Sequence, residues 1–102
     1  MVATVNNELV GYASAIMEKK QLAHLLSIAV FPEFRKIGIG KKLLAALIES
    51  AKKEGGQAMK LEVSKSNRPA ISLYRSFGFS VQEKVLKYYP DGKDALVMVL
   101  EW

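Results

Sequence analysis

The chain has 102 residues, of which 50% are hydrophobic and 25% charged. It is too apolar for a disordered segment, and no run approaches the ~18 uncharged apolar residues of a bilayer helix. With no cysteine and a single histidine, disulfides, thiolate chemistry and a multi-histidine metal centre are excluded. Its length suggests one domain spanning residues 1–102. Lys and Arg number 15 against 10 Asp and Glu, a formal charge of +5. Four of the positives, Arg35, Lys36, Lys41 and Lys42, fall within eight residues, and the rest of the chain is nearly balanced. A local basic cluster of this kind suits a phosphate-bearing ligand or a nucleic acid, or is a solvated lysine-rich face. Residues 1–7 lack the basic start and apolar stretch of a signal peptide, so a cytoplasmic chain is expected.

In chain order, Met1–Val5 reads as a strand, Asn6-Asn7-Glu8 as a turn and Leu9–Met17 as the returning strand of a hairpin. Leu22–Phe31 is a third strand, stopped by Pro32. A helix is expected over Ile39–Glu54, because Leu43, Leu44, Leu47, Ile48 and Ala51 share one helical face. Gly55-Gly56 supplies left-handed cap residues. Met59–Ser64 alternates apolar and polar residues as a strand does. Asn67 offers an N-cap with Pro69 in the first turn, followed by the apolar stripe Ala70, Leu73, Tyr74 and Phe77, and by Gly78. Phe79–Lys87 and Asp94–Leu100 read as closing strands. The order βββαβαββ predicts an α/β, or α+β, layered domain. Its sheet should be mixed and largely antiparallel, with a parallel crossover between Leu22 and Ser64.

The segment most informative about chemistry is Ser27–Leu44. A strand enters a loop carrying Gly38 and Gly40, and the loop opens a helix among four basic residues. Unpaired N–H groups of a helix's first turn, approached through glycines, suit phosphate. Neither the P-loop spacing nor a full G-x-G-x-x-G is present. An ordinary glycine-containing helix entry has the same local appearance.

Arg35-Lys36-Ile37-Gly38-Ile39-Gly40 resembles the R-x-x-G-x-G/A signature of the GCN5-related N-acetyltransferase (GNAT) superfamily. Leu61-Glu62-Val63, Asn67, Leu73-Tyr74-Arg75, Phe77-Gly78-Phe79, Tyr88-Tyr89-Pro90 and Asp94–Met98 continue the resemblance in order. The likeness is to the ribosomal-protein alanine and archaeal protein N-terminal acetyltransferases, with His24–Val30 nearer the archaeal side. It implies transfer of acetyl from acetyl-coenzyme A, as cosubstrate and without a metal, to an amine. The amine implied is the N-terminal α-amine of a protein or peptide. Glu62 then matches the general base and Tyr74 the general acid. The cofactor-binding positions are Ile28, Ala29, Val30, Arg35, Lys36, Ile37, Gly38, Ile39, Gly40, Lys41, Asn67 and Tyr74. Tyr88, Tyr89 and His24 match acceptor-side positions, and His24 also matches a position with a proposed catalytic role in archaeal relatives; a lone strand histidine has a plain structural reading as well. Each residue also has a plain structural reading: Glu62 as the polar side of a strand, Tyr74 as core, Asn67 as an N-cap.

The chain departs from the family pattern at its start, since family members begin with a strand and two helices before the hairpin. Uncovered sheet surface and a homodimer are therefore expected. Acetylation of a small amine or lysine, and a non-catalytic acetyl-coenzyme A-binding module, are the competing functions. Binding to nucleic acid is disfavoured because the positives gather at one helix start, with no stacking aromatics.

Overall fold

Alternation along the strands and three-to-four spacing along the helices send one set of aliphatic side chains to the same side of a sheet. The computed structural model describes residues 2–5, 8–19, 21–30 and 38–102. Its elements are β1 (Val2–Val5), β2 (Glu8–Lys19), β3 (Leu22–Val30), α1 (Ile39–Lys53), β4 (Ala58–Ser64), α2 (Arg68–Ser76), β5 (Ser80–Val85) and β6 (Ala95–Glu101). The expected order is observed. The strands form one six-stranded sheet in the order β1-β2-β3-β4-β6-β5. Only β3 and β4 pair in parallel; the other neighbours are antiparallel. No helix among the described residues is long and apolar enough to cross a membrane.

Helix α1 buries Ile39, Leu43, Leu44, Leu47, Ile48 and Ala51, the face that the spacing predicts. These residues join Ala13, Ala23, Leu25, Met59, Leu61, Val63 and Met98 in one core. Leu44, Met59, Leu61 and Met98 are fully buried, and a side chain of this size contributes about 1.5–3 kcal/mol when removed from water. Helix α2 adds buried Tyr74 and half-buried Leu73 to the same layer, and Leu73 lies beside Gly40 at the start of α1. The opposite face of the sheet leaves Tyr12, Ile16 and Leu26 exposed.

Several boundaries differ from expectation: β2 begins at Glu8, expected in the turn, and runs to Lys19 rather than ending at Met17, β4 begins one residue early, and β6 is displaced by a residue. Gly55 takes the left-handed conformation (φ 91°), but Gly56 does not; instead it lies buried against the Ala51 carbonyl. Strand β5 ends at Val85 because Lys87 turns to φ 51° and donates its backbone N–H to the Asp94 carboxylate at 3.0 Å. Phe77 caps α2 rather than continuing it. The expected turn at Asn6-Asn7 and the strand end at Phe31 lie outside the described residues.

Strand β3 is irregular on both of its edges. Its register with β2 passes from Ser14↔Ser27 to Ala15↔Leu25, so Leu26 is an extra residue, a bulge that bends the strand. Its parallel ladder with β4 runs from Leu22↔Ala58 to His24↔Lys60 and stops there, although the strands continue to Val30 and Ser64.

At Gly11, opposite Val30, β2 and β3 approach closely: a Cβ there would sit 2.7 Å from the Ala29 carbonyl oxygen. That neighbour is backbone and cannot rotate away. Gly11→Ala is expected to lower unfolding stability by about 1–3 kcal/mol, read as a lower urea midpoint at unchanged m-value.

Candidate active site

Beyond His24 and Lys60 the sheet opens, and two adjoining cavities occupy the gap. One, of about 300 Å³, is bounded by Leu26, Ser27 and Ile28 of β3, Glu62 and Ser64 of β4, and by Asn67, Tyr74 and Tyr89. The other, of about 620 Å³, runs between β3 (Ile28, Ala29, Val30), the start of α1 (Gly38, Ile39, Gly40) and α2 (Pro69, Ala70, Leu73). Ile28, Asn67 and Tyr74 line both, so they stand at the junction.

The larger cavity ends at a helix start suited to an anion. Gly38 is the N-cap of α1 in the left-handed conformation (φ 84°), a position a Cβ-bearing residue occupies only with strain. Among the described residues no side chain caps the first turn, and that turn carries no acidic residue. Lys41 and Lys42 are exposed beside it. Its N–H groups and the positive end of the helix dipole therefore face outward without a protein acceptor among the described residues. Arg35, Lys36 and Ile37 lie outside the described residues.

At the junction, Asn67 Oδ1 accepts the Ala70 N–H at 3.3 Å, holding the first turn of α2. Its N-cap role and its place on both cavities coexist. Tyr74 is 5% exposed, with its ring 5.8 Å from that of Phe79. Burial raises its pKa, with a smaller contribution from Tyr89. Tyr89 is half-buried and closes the smaller cavity; Tyr88 is exposed and meets Tyr89 edge-on at 4.9 Å. Burial raises Tyr89 as well, followed by Tyr88, Glu62 and Asp91. The paired tyrosines thus divide, with only Tyr89 facing the cavity.

Glu62, on the polar side of β4, is half-buried. Its Oε1 lies 2.7 Å from His24 Nε2. The other ring nitrogen, Nδ1, lies 2.7 Å from Glu18 Oε2, and Glu18 Oε1 takes Lys60 Nζ at 2.7 Å. His24 lines neither cavity; it stands behind Glu62, so an acceptor-contacting role is replaced by one through Glu62. The Lys60 ammonium beside Glu18 holds that carboxyl below the ordinary carboxylate range, and Glu18 raises Lys60 in return. Glu18 and Lys60 are the members of this chain of contacts that sequence reasoning missed. Alternation placed Lys60 on the polar side of its strand, Glu18 fell beyond the expected strand end at Met17, and the pairing of β2, β3 and β4 that unites them is not local.

Known proteins share this fold and part of its sequence. The model of the acetyltransferase (GNAT) family matches residues 1–79. An N-alpha-acetyltransferase of Sulfurisphaera tokodaii is 39% identical over 95% of this chain and 65% of its own length. The [ribosomal protein bS18]-alanine N-acetyltransferase of Escherichia coli is 43% identical over 76% of this chain and 55% of its own. Among solved structures, Ard1 from Thermoplasma volcanium superposes with a TM-score of 0.95 at 29% identity, over 98% of this chain and 68% of that one. The chain spans about 65% of the length of the archaeal relatives it matches.

Two measurements probe the junction. Asn67→Ala removes the cap and should lower stability by about 1 kcal/mol, read in urea. Because the folded state favours neutral Tyr74, its contribution is fully present below the ordinary tyrosine pKa. It is lost as pH rises through the raised folded value. In an alkaline absorbance titration of the four tyrosines, Tyr74→Phe should remove a late-ionising component and leave the early ones.

Proposed function

Since the chain belongs to the acetyltransferase (GNAT) family, we propose that it transfers acetyl from acetyl-coenzyme A directly to an amine in a ternary complex. The amine assigned is the N-terminal α-amine of a protein or peptide. The observation that carries this reading is the junction of the two cavities. It sets a carboxylate on one side of the β3–β4 gap and a buried phenol, with an uncapped helix start, on the other.

The fit to acetyl-coenzyme A rests on the donor set and the cavity shape. Backbone N–H groups at Gly38–Lys41 would take the pyrophosphate, with Lys41 near them. The larger cavity, walled by Ala29, Val30, Ala70 and Leu73, would take the narrow, mostly apolar pantetheine arm along β3. The thioester would then lie near Ile28 and Tyr74. Glu62, directly or through one water, removes a proton from the α-ammonium. An α-amine has a pKa of ~7.7–8, so a modest base suffices near neutral pH. The neutral nitrogen attacks the thioester carbonyl carbon, and a β3 backbone N–H near Ile28 stabilises the charge developing on oxygen. As the C–S bond breaks, the Tyr74 hydroxyl protonates the departing sulfur. Like any phenol, that hydroxyl is protonated at neutral pH, and burial raises its pKa further.

Tyr89 at the cavity mouth and Tyr88 beside it give the acceptor an aromatic rim. The α-amine assignment is supported by the likeness to the archaeal N-alpha-acetyltransferase and the Escherichia coli ribosomal-protein alanine N-acetyltransferase. The proposal extends to a homodimer formed through the outward sheet face that exposes Tyr12, Ile16 and Leu26. It extends also to a cytoplasmic setting, which a cysteine-free chain permits.

The test is acetyl transfer from labelled acetyl-coenzyme A to peptides with a free N-terminus, compared with N-terminally blocked peptides carrying lysine. Free N-termini should be acetylated and blocked ones not, with kcat rising to a plateau above pH ~8. Glu62→Gln and Tyr74→Phe should each lower kcat by roughly 10²–10⁴-fold. Wild type and both variants at the same background rate would overturn the assignment.

A further inference from the structure

We propose that Glu18 is the positioning residue for His24: it fixes a hydrogen on Nδ1, so that Nε2 and Glu62 share a single exchangeable proton. A neutral imidazole has one N–H, and an ionised carboxylate only accepts. Both ring nitrogens lie 2.7 Å from a carboxylate oxygen, a distance at which each contact must contain a hydrogen. The two carboxylates are not equivalent. Glu18 has Lys60 Nζ on its other oxygen at 2.7 Å and is kept ionised by it. Glu18 therefore accepts, and Nδ1 carries the hydrogen. The Nε2 to Oε1 contact is closed by a second proton, held by the ring or by the Glu62 carboxyl.

The charged and titratable groups around His24 come from three sides. They are Glu18 on β2, Lys60 and Glu62 on β4, and, beyond these, Tyr88 and Tyr89 from the loop before β6, which interact with Lys60 and Glu62. Glu18 is placed for its role by the β2–β3 register. The ladder passes from Met17↔Ala23 to Lys19↔Leu22, leaving Glu18 at the irregularity, on the same outward side as His24.

This rests on the acetyl-transfer reading for what the proton is used for. With the second proton absent, His24 and Glu62 together accept one proton from the α-ammonium. An N–H bond of the ammonium breaks, and the proton comes to lie between Nε2 and Oε1. It then passes to solvent, which Glu62 reaches by being only half-buried. The Nδ1 hydrogen does not move. Glu18 touches neither acceptor nor coenzyme in this scheme; it acts through the ring.

His24 is the chain's single histidine, so a long-range ¹H–¹⁵N spectrum of the full chain shows one imidazole. In wild type the neutral ring should be the Nδ1–H tautomer. Glu18→Ala should move it toward Nε2–H. Glu18→Gln, whose amide can donate to Nδ1, should do the same while keeping the side chain's shape. In transfer assays, kcat should fall roughly ten-fold in Glu18→Ala, with KM for acetyl-coenzyme A unchanged. An unaltered tautomer in both variants overturns the proposal, whatever happens to activity. A shifted tautomer supports it; if wild type then shows no transfer, the acetyltransferase reading falls and the Glu18 assignment stands.

Discussion

Parallel pairing between β3 and β4 ends at His24↔Lys60, and what this chain can do chemically depends on that ending. Had the ladder continued, the backbone groups of β3 near Ile28 would be spent on β4, and no cavity would separate Glu62 from Tyr74. The parting has a physical source in the extra residue Leu26, which breaks the β2–β3 register and bends β3 just where the two strands diverge. The gap has a flank on each side. Helices α1 and α2 meet at Gly40 and Leu73, and β6 holds the other edge of β4 along its whole length.

The gap also joins two surfaces of different character. Tyr74 arrives from the helix layer, packed on Phe79 and largely withdrawn from water. Glu62 arrives from the outward face, in a chain of short polar contacts running through His24 to Glu18 and Lys60. A carboxylate in contact with solvent and a phenol shielded from it are thus separated by the sheet and meet only at the gap. The same division of environments that makes a stable layered fold gives a carboxylate and a phenol opposed surroundings.

Much of this was legible locally. The α1 stripe from Leu43 to Ala51, the alternation of β4 and the Asn67-Arg68-Pro69 helix start each depend on residues a few positions apart, and each formed as read. Gly38 was legible as part of a glycine-bearing helix entry, while its left-handed conformation came from the structure. Tyr74 illustrates a reading that did not have to choose. A core position and a cavity position look alike in periodicity, and the structure makes it both. Less legible were ends set by one distant bond, such as β5, which is cut short by the Lys87 N–H on Asp94.

The sequence by itself determined the elements, their order and the resemblance of the Gly38 loop, because these reside in short-range spacing and in residue types with narrow conformational preferences. Only the tertiary structure decided that Glu18, His24, Lys60 and Glu62 form one chain of contacts. They come from three strands, and His24 and Glu62 are 38 residues apart. Their meeting depends on register, where a slip of one residue would turn a side chain to the opposite face. Two irregularities, at Leu26 and at Glu18, set that register here, and nothing in the local pattern of either strand announces them.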